Sequence, residues 1–98
     1  MNTITSIDKQ IGKIKQQLAE LGPLHPGSLS LQQRQRGADK PRFNQLSYVH
    51  RGQSHTSYVR AEDVEGVREK LATHHRLRDL VQAWLDLSVE RFQLERAR

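Results

Sequence analysis

The side chains in this sequence most able to do chemistry are its cations, and they cluster. From Ser28 to Arg60 there are six basic residues, Arg34, Arg36, Lys40, Arg42, Arg51 and Arg60, against one acid, Asp39. Met1–Gly27 carries three basic and two acidic residues and Ala61–Arg98 seven and eight, so the middle stretch alone accounts for the net charge of +5. Five of the six cations are arginines, whose planar guanidinium can grip a phosphate through two parallel hydrogen bonds or stack on a base. Interleaved amides (Gln32, Gln33, Gln35, Asn44, Gln45, Gln53) can reach nucleic-acid backbone or base edges. A β-ribbon so decorated can enter a major groove. Those six residues are the expected contacts to a polyanion, DNA or RNA. The competing readings of the same charge are an acidic protein surface as partner, or a solvated face that keeps the chain in solution.

Other chemistry has less to build on. His50 and His55 would approach each other across a tight hairpin, and with His25 they offer imidazoles to a metal. No carboxylate or cysteine is spaced to complete such a set, so neither metal nor cofactor is expected. His74 and His75 are helix neighbours that point in different directions and cannot share an ion. There is no glycine-rich phosphate loop, no H-E-x-x-H, no nucleophile elbow and no acidic metal cluster, and the expectation is a protein that is not an enzyme. The absence of cysteine excludes disulfides, zinc–thiolate sites and cysteine nucleophiles, and it suits a reducing compartment.

The elements that must position these residues are legible from periodicity. Ile4, Ile7, Ile11, Ile14, Leu18 and Leu21 recur at spacings of 3, 4, 3, 4 and 3, a narrow helical seam that suits one partner helix. Thr3, Thr5 or Ser6 can cap this helix, and Gly22-Pro23 stops it. Leu29 and Leu31 alternate with Ser28, Ser30 and Gln32, as in a half-buried strand. Arg36–Asn44, with Gly37 and Pro41, reads as a polar loop. Gln45–Arg60 reads as a hairpin, Leu46–His50 and Thr56–Val59 flanking a turn near Arg51-Gly52-Gln53. Tyr48-Val49 and Tyr58-Val59 look like paired β-formers, and the register decides which of them face inward.

From Ala61 onward there is no proline, and Glu62, Asp63 and Glu65 favour a helix N-terminus. Val64, Val67, Leu71, Leu77, Leu80, Val81, Trp84, Leu85, Leu87, Phe92 and Leu94 follow helical spacing and cover a face wider than the first helix can bury. Unbroken, this helix would be about 55 Å long and overhang a small domain. A homodimer, or a partner protein, is expected to cover the overhang through Leu80, Trp84, Leu87, Arg91 and Leu94.

The fold expected is α+β in a single domain, residues 1–98. It comprises an N-terminal helix (1–22), a basic β region folded as a three-stranded antiparallel sheet with a β-hairpin (28–60), and a long C-terminal helix (61–98). No apolar run approaches the roughly 20 residues that span a bilayer, and Met1–Thr5 lacks the make-up of a signal peptide. A cytoplasmic protein without membrane contact is expected.

Gly27-Ser28-Leu29, the basic strand after it, Gly37 to Pro41, the hairpin of Leu46–Val49 and Tyr58-Val59, then Val67-Arg68 and Arg76-Leu77-Arg78-Asp79-Leu80, form a succession that covers about Leu21 to Phe92. It resembles a poorly characterised family of small prokaryotic proteins found beside transposases and on mobile elements. Members carry cysteines in the loop corresponding to Gly37–Asn44, with a Gly-Lys-Pro-like start. Here Lys40-Pro41 remains and the cysteines are gone, so no metal or redox role carries over. The resemblance implies a mobile-element or phage setting and no particular activity. The expected function is a nucleic-acid-binding accessory protein. The alternative is a protein-binding inhibitor or adaptor, anti-CRISPR-like, acting on a host nucleic-acid-handling complex.

Overall fold

The computed structural model describes residues 3–33 and 42–97, with Gln32, Gln33 and Arg42 described by backbone alone. The element order is α1 (Ile4–Ala19), β1 (Ser28–Gln33), β2 (Arg42–His50), β3 (Gln53–Val59), a single 3-10 turn (Ala61–Asp63) and α2 (Val64–Arg96). The α+β class, the three antiparallel strands and the long terminal helix agree with the sequence reading. The chain packs as two compact units, Met1–Gly22 with His75–Arg98, and Pro23–His74.

The first unit is a pair of helices, α1 and the C-terminal part of α2, with the sheet between them in the chain. The Thr3 hydroxyl oxygen accepts from the Ser6 N–H at 3.1 Å, a cap that satisfies one of the helix's free donors. Asp8 meets Arg91 at 2.7 Å, and the Lys15 ammonium lies 5.3 Å from the Trp84 ring centre. Seven residues forward on α1 thus correspond to seven residues backward on α2, an antiparallel pairing with heptad period. Ile7, fully buried, and Ile14 come from α1, and Leu80 from α2. The hydrogen bond from Arg91 holds the Asp8 carboxyl below its ordinary range, and Arg91 also pairs with Glu95.

The second unit is the sheet, in the order β1-β2-β3. Leu46, Val59 and Leu71 form its core, with Leu29, Tyr48, Val64 and Val67 packed around them. Each such burial is worth about 1.5–3 kcal/mol. The connector before β1 is tied to α2 by the His25 N–H, which donates to the Lys70 carbonyl at 3.1 Å. Gly27 sits at φ +117°, and a Cβ there would lie 2.3 Å from the Ser47 carbonyl oxygen. Only glycine allows β1 to enter the sheet at that point.

Two expectations are corrected. Arg42–Asn44, read as loop, belong to β2, because Gln33 pairs with Arg42 and Gln32 with Phe43. The two tyrosine–valine pairs do not face each other: the turn is Arg51-Gly52, His50 pairs with Gln53, and so Tyr48 opposes His55 and Tyr58 opposes Gln45. The register therefore turns Tyr48 and Val59 toward the core and leaves Val49 and Tyr58 outside. Both turn residues have positive φ, Arg51 at 53° and Gly52 at 79°, as a two-residue turn matching strand twist requires.

Candidate nucleic-acid interface

Strand alternation gives the sheet an outward face. Ser28, Ser47 and Thr56 form one cross-strand row, Ser30, Gln45 and Tyr58 the next, with Val49 beside Ser54. Phe43 lies diagonally from Tyr58, their ring centres 6.3 Å apart and tilted by 36°. Tyr58 is 67% exposed, so one face of an aromatic pair meets solvent. Hydroxyls and amides surround it, and none of these outward positions is charged.

That face differs from the expected arginine-studded sheet. Arg51 occupies the β2–β3 turn, and Arg60 follows β3 at its other end. Seven strand residues separate them, roughly 23 Å at 3.3 Å per residue, so these two do not share one patch. Arg60 also lies 3.7 Å from Glu62, both side chains being highly exposed, a pairing worth little in water. Arg34, Arg36 and Lys40 lie outside the described residues, and of Arg42 only the backbone position, opposite Gln33, is described. Arg60 follows Val59, which pairs with Asn44 beside Phe43, so it stands at the Phe43–Tyr58 end of the sheet, and Arg51 stands at the opposite end.

The histidines take another arrangement. His25 meets the Tyr48 ring edge-on at 4.6 Å and His55 stacks on it at 5.0 Å. The His25 Nδ1–H donates to the Pro26 carbonyl at 2.6 Å. Tyr48 is thus the shared neighbour of both imidazoles, and His55 pairs with it in place of His50. Among the described residues no group of three His, Asp or Glu side chains is arranged to hold a metal. A shallow recess of about 450 Å³ beside β3 is lined by Leu46, Tyr58, Val67, Glu62, Asp63 and Lys70, among others. Its two carboxylates make it unsuited to a phosphate.

The expected partner-facing residues of α2 differ in exposure. Leu80 is 5% exposed and belongs to the helical core. Trp84, Leu87 and Leu94 are half-buried, and Arg91 is engaged by Asp8 and Glu95. The exposed apolar side chains are instead Val81, Leu85, Val89 and Phe92, each between 42% and 58% exposed. Their spacings of 4, 4 and 3 place them in one stripe. Val81, Leu85 and Phe92 stand among the apolar positions that the sequence spacing singles out, and Val89 completes the stripe. Among the described residues, no helix is long and apolar enough to cross a membrane.

No family model, curated protein or solved structure matches the chain.

Proposed function

We propose that this protein binds nucleic acid without acting on it chemically, holding the phosphate backbone at the sheet end where β1 leads to β2. The observation that supports the reading is the concentration of the net positive charge in the stretch Ser28–Arg60, with Arg60 at the end of the sheet that bears Phe43 and Tyr58. Cations there can neutralise phosphates while the uncharged outward face accommodates sugars and bases. The test is affinity measured against salt. Each phosphate contact contributes a slope of about −0.9 in log K against log salt on duplex, or about −0.7 on single strands. Replacing Arg34, Arg36 and Lys40 by alanine should flatten that slope by about 2 on single strands. Binding indifferent to salt and to these changes would overturn the reading.

A second reading concerns α2. The Val81-Leu85-Val89-Phe92 stripe favours a protein contact, because contiguous apolar surface on a small chain usually marks an interface. The occupant proposed is α2 of a second copy: the stripe lies along one face with spacings of 4, 4 and 3, and ridges so spaced can pack against the same ridges of an identical helix. Light scattering over a range of concentrations should report a dimer, and Leu85→Lys should give a monomer of unchanged helix content. A monomer at every concentration would remove the dimer.

A further inference from the structure

We infer that the nucleic acid taken by the outward sheet face is single-stranded, with a base stacked on Tyr58. This rests on the nucleic-acid reading above and narrows it. The exposed Tyr58 ring, tilted against Phe43, is a platform for an unpaired base, because every base has a π-face and stacking tolerates any sequence. A base within a duplex is already stacked on both sides and offers such a ring nothing. The neighbours of the platform suit an opened strand too. Gln45 lies directly opposite Tyr58, Ser30 lies opposite Gln45, and the Ser28–Ser47–Thr56 row adds three hydroxyls. Amides and hydroxyls at that distance can bond to exposed base edges and sugars. The outward strand positions carry no carboxylate, and the two nearest Tyr58, Glu62 and Asp63, line the recess beside β3, where a phosphate would be repelled.

The experiment compares binding of oligo(dT) and oligo(U) of about 12 nucleotides, a length within single-strand site sizes, with binding of the matching dA·dT duplex. Wild type, Tyr58→Ala and Tyr58→Phe are each measured. Tyr58 is exposed enough for its truncation to leave the sheet intact, which far-ultraviolet circular dichroism checks. The expected result is a preference for a single strand, a loss of roughly 5- to 150-fold in Tyr58→Ala, and retention within about 2-fold in Tyr58→Phe. Single-strand binding that Tyr58→Ala leaves unchanged, or equal binding of the duplex, overturns the stacking inference and leaves the nucleic-acid reading in place. Failure to bind any of the three probes overturns both.

Discussion

Among the described residues, the buried side chains of the helical unit are Ile7, Ile14 and Leu80, all presented by helices; those of the sheet unit are Leu46 and Val59 from strands and Leu71 from α2. Each core is only a few residues deep, yet the two are specified differently. The pair of helices is set by a repeated spacing, so several residues carry the same instruction: Asp8 and Lys15 meet Arg91 and Trp84 one heptad apart. The sheet is set by single points, the Arg51-Gly52 turn that fixes register and the Gly27 position that lets β1 enter. Redundant specification should tolerate single changes gradually, and point specification should fail at once.

A large effect follows from that difference. Gly27→Ala forces a side chain into the Ser47 carbonyl at a backbone angle disfavoured for alanine, and should cost the sheet unit about 3 kcal/mol. The chain has one tryptophan, Trp84, in the helical unit, and two tyrosines, Tyr48 and Tyr58, in the sheet unit. Urea unfolding followed by tyrosine ellipticity should therefore shift further in this variant than unfolding followed by Trp84 fluorescence. Equal shifts would mean the units unfold as one.

Ile7→Ala is the converse. It empties the fully buried position of the helical unit, with an expected loss of about 2–5 kcal/mol, and its larger shift should be in Trp84 fluorescence. Leu46→Ala, in the sheet core, should move the tyrosine signal more.

How much of this was legible follows the same division. The α1 seam could be read directly because a 3.5-residue spacing survives any partner, and Thr3 was among the caps foreseen. The hairpin turn was legible from Gly52. The faces of the sheet were not, since alternation leaves two registers open and only the turn length chooses between them. Once His50 pairs with Gln53, Tyr48 must turn inward and Tyr58 outward. The cations were found by counting, but whether they lie on strands or at sheet ends is a matter of pairing, which composition does not encode. On α2 the residues packed on α1 and those of the exposed stripe interleave along one helix, so periodicity picks out Val81, Leu85 and Phe92 without separating them from the packed set, and it leaves out Val89.

Smaller effects sharpen the comparison. Arg51 holds a left-handed conformation that asparagine adopts more easily, so Arg51→Asn should stabilise the sheet unit by about 0.5–1 kcal/mol in urea unfolding. In the helical unit, Asp8→Asn should lower stability slightly at neutral pH. The Asp8 carboxyl titrates below its ordinary range because Arg91 hydrogen-bonds to it. Its contribution is therefore present above the unfolded-state value, about 3.9, and is lost as pH falls through the lowered folded value. Thermal unfolding of wild type and variant should converge in that acid range.

The proposal to test is that nucleic acid is bound at the Phe43–Tyr58 end of the sheet. Its most direct measurement is single-strand affinity at fixed salt for two variants, the Arg34, Arg36 and Lys40 triple alanine and Arg51→Ala. A drop of roughly 10-fold or more in the triple variant, with Arg51→Ala near wild type, is the predicted result. Arg51→Ala losing as much as the triple variant, or neither losing anything, would contradict it.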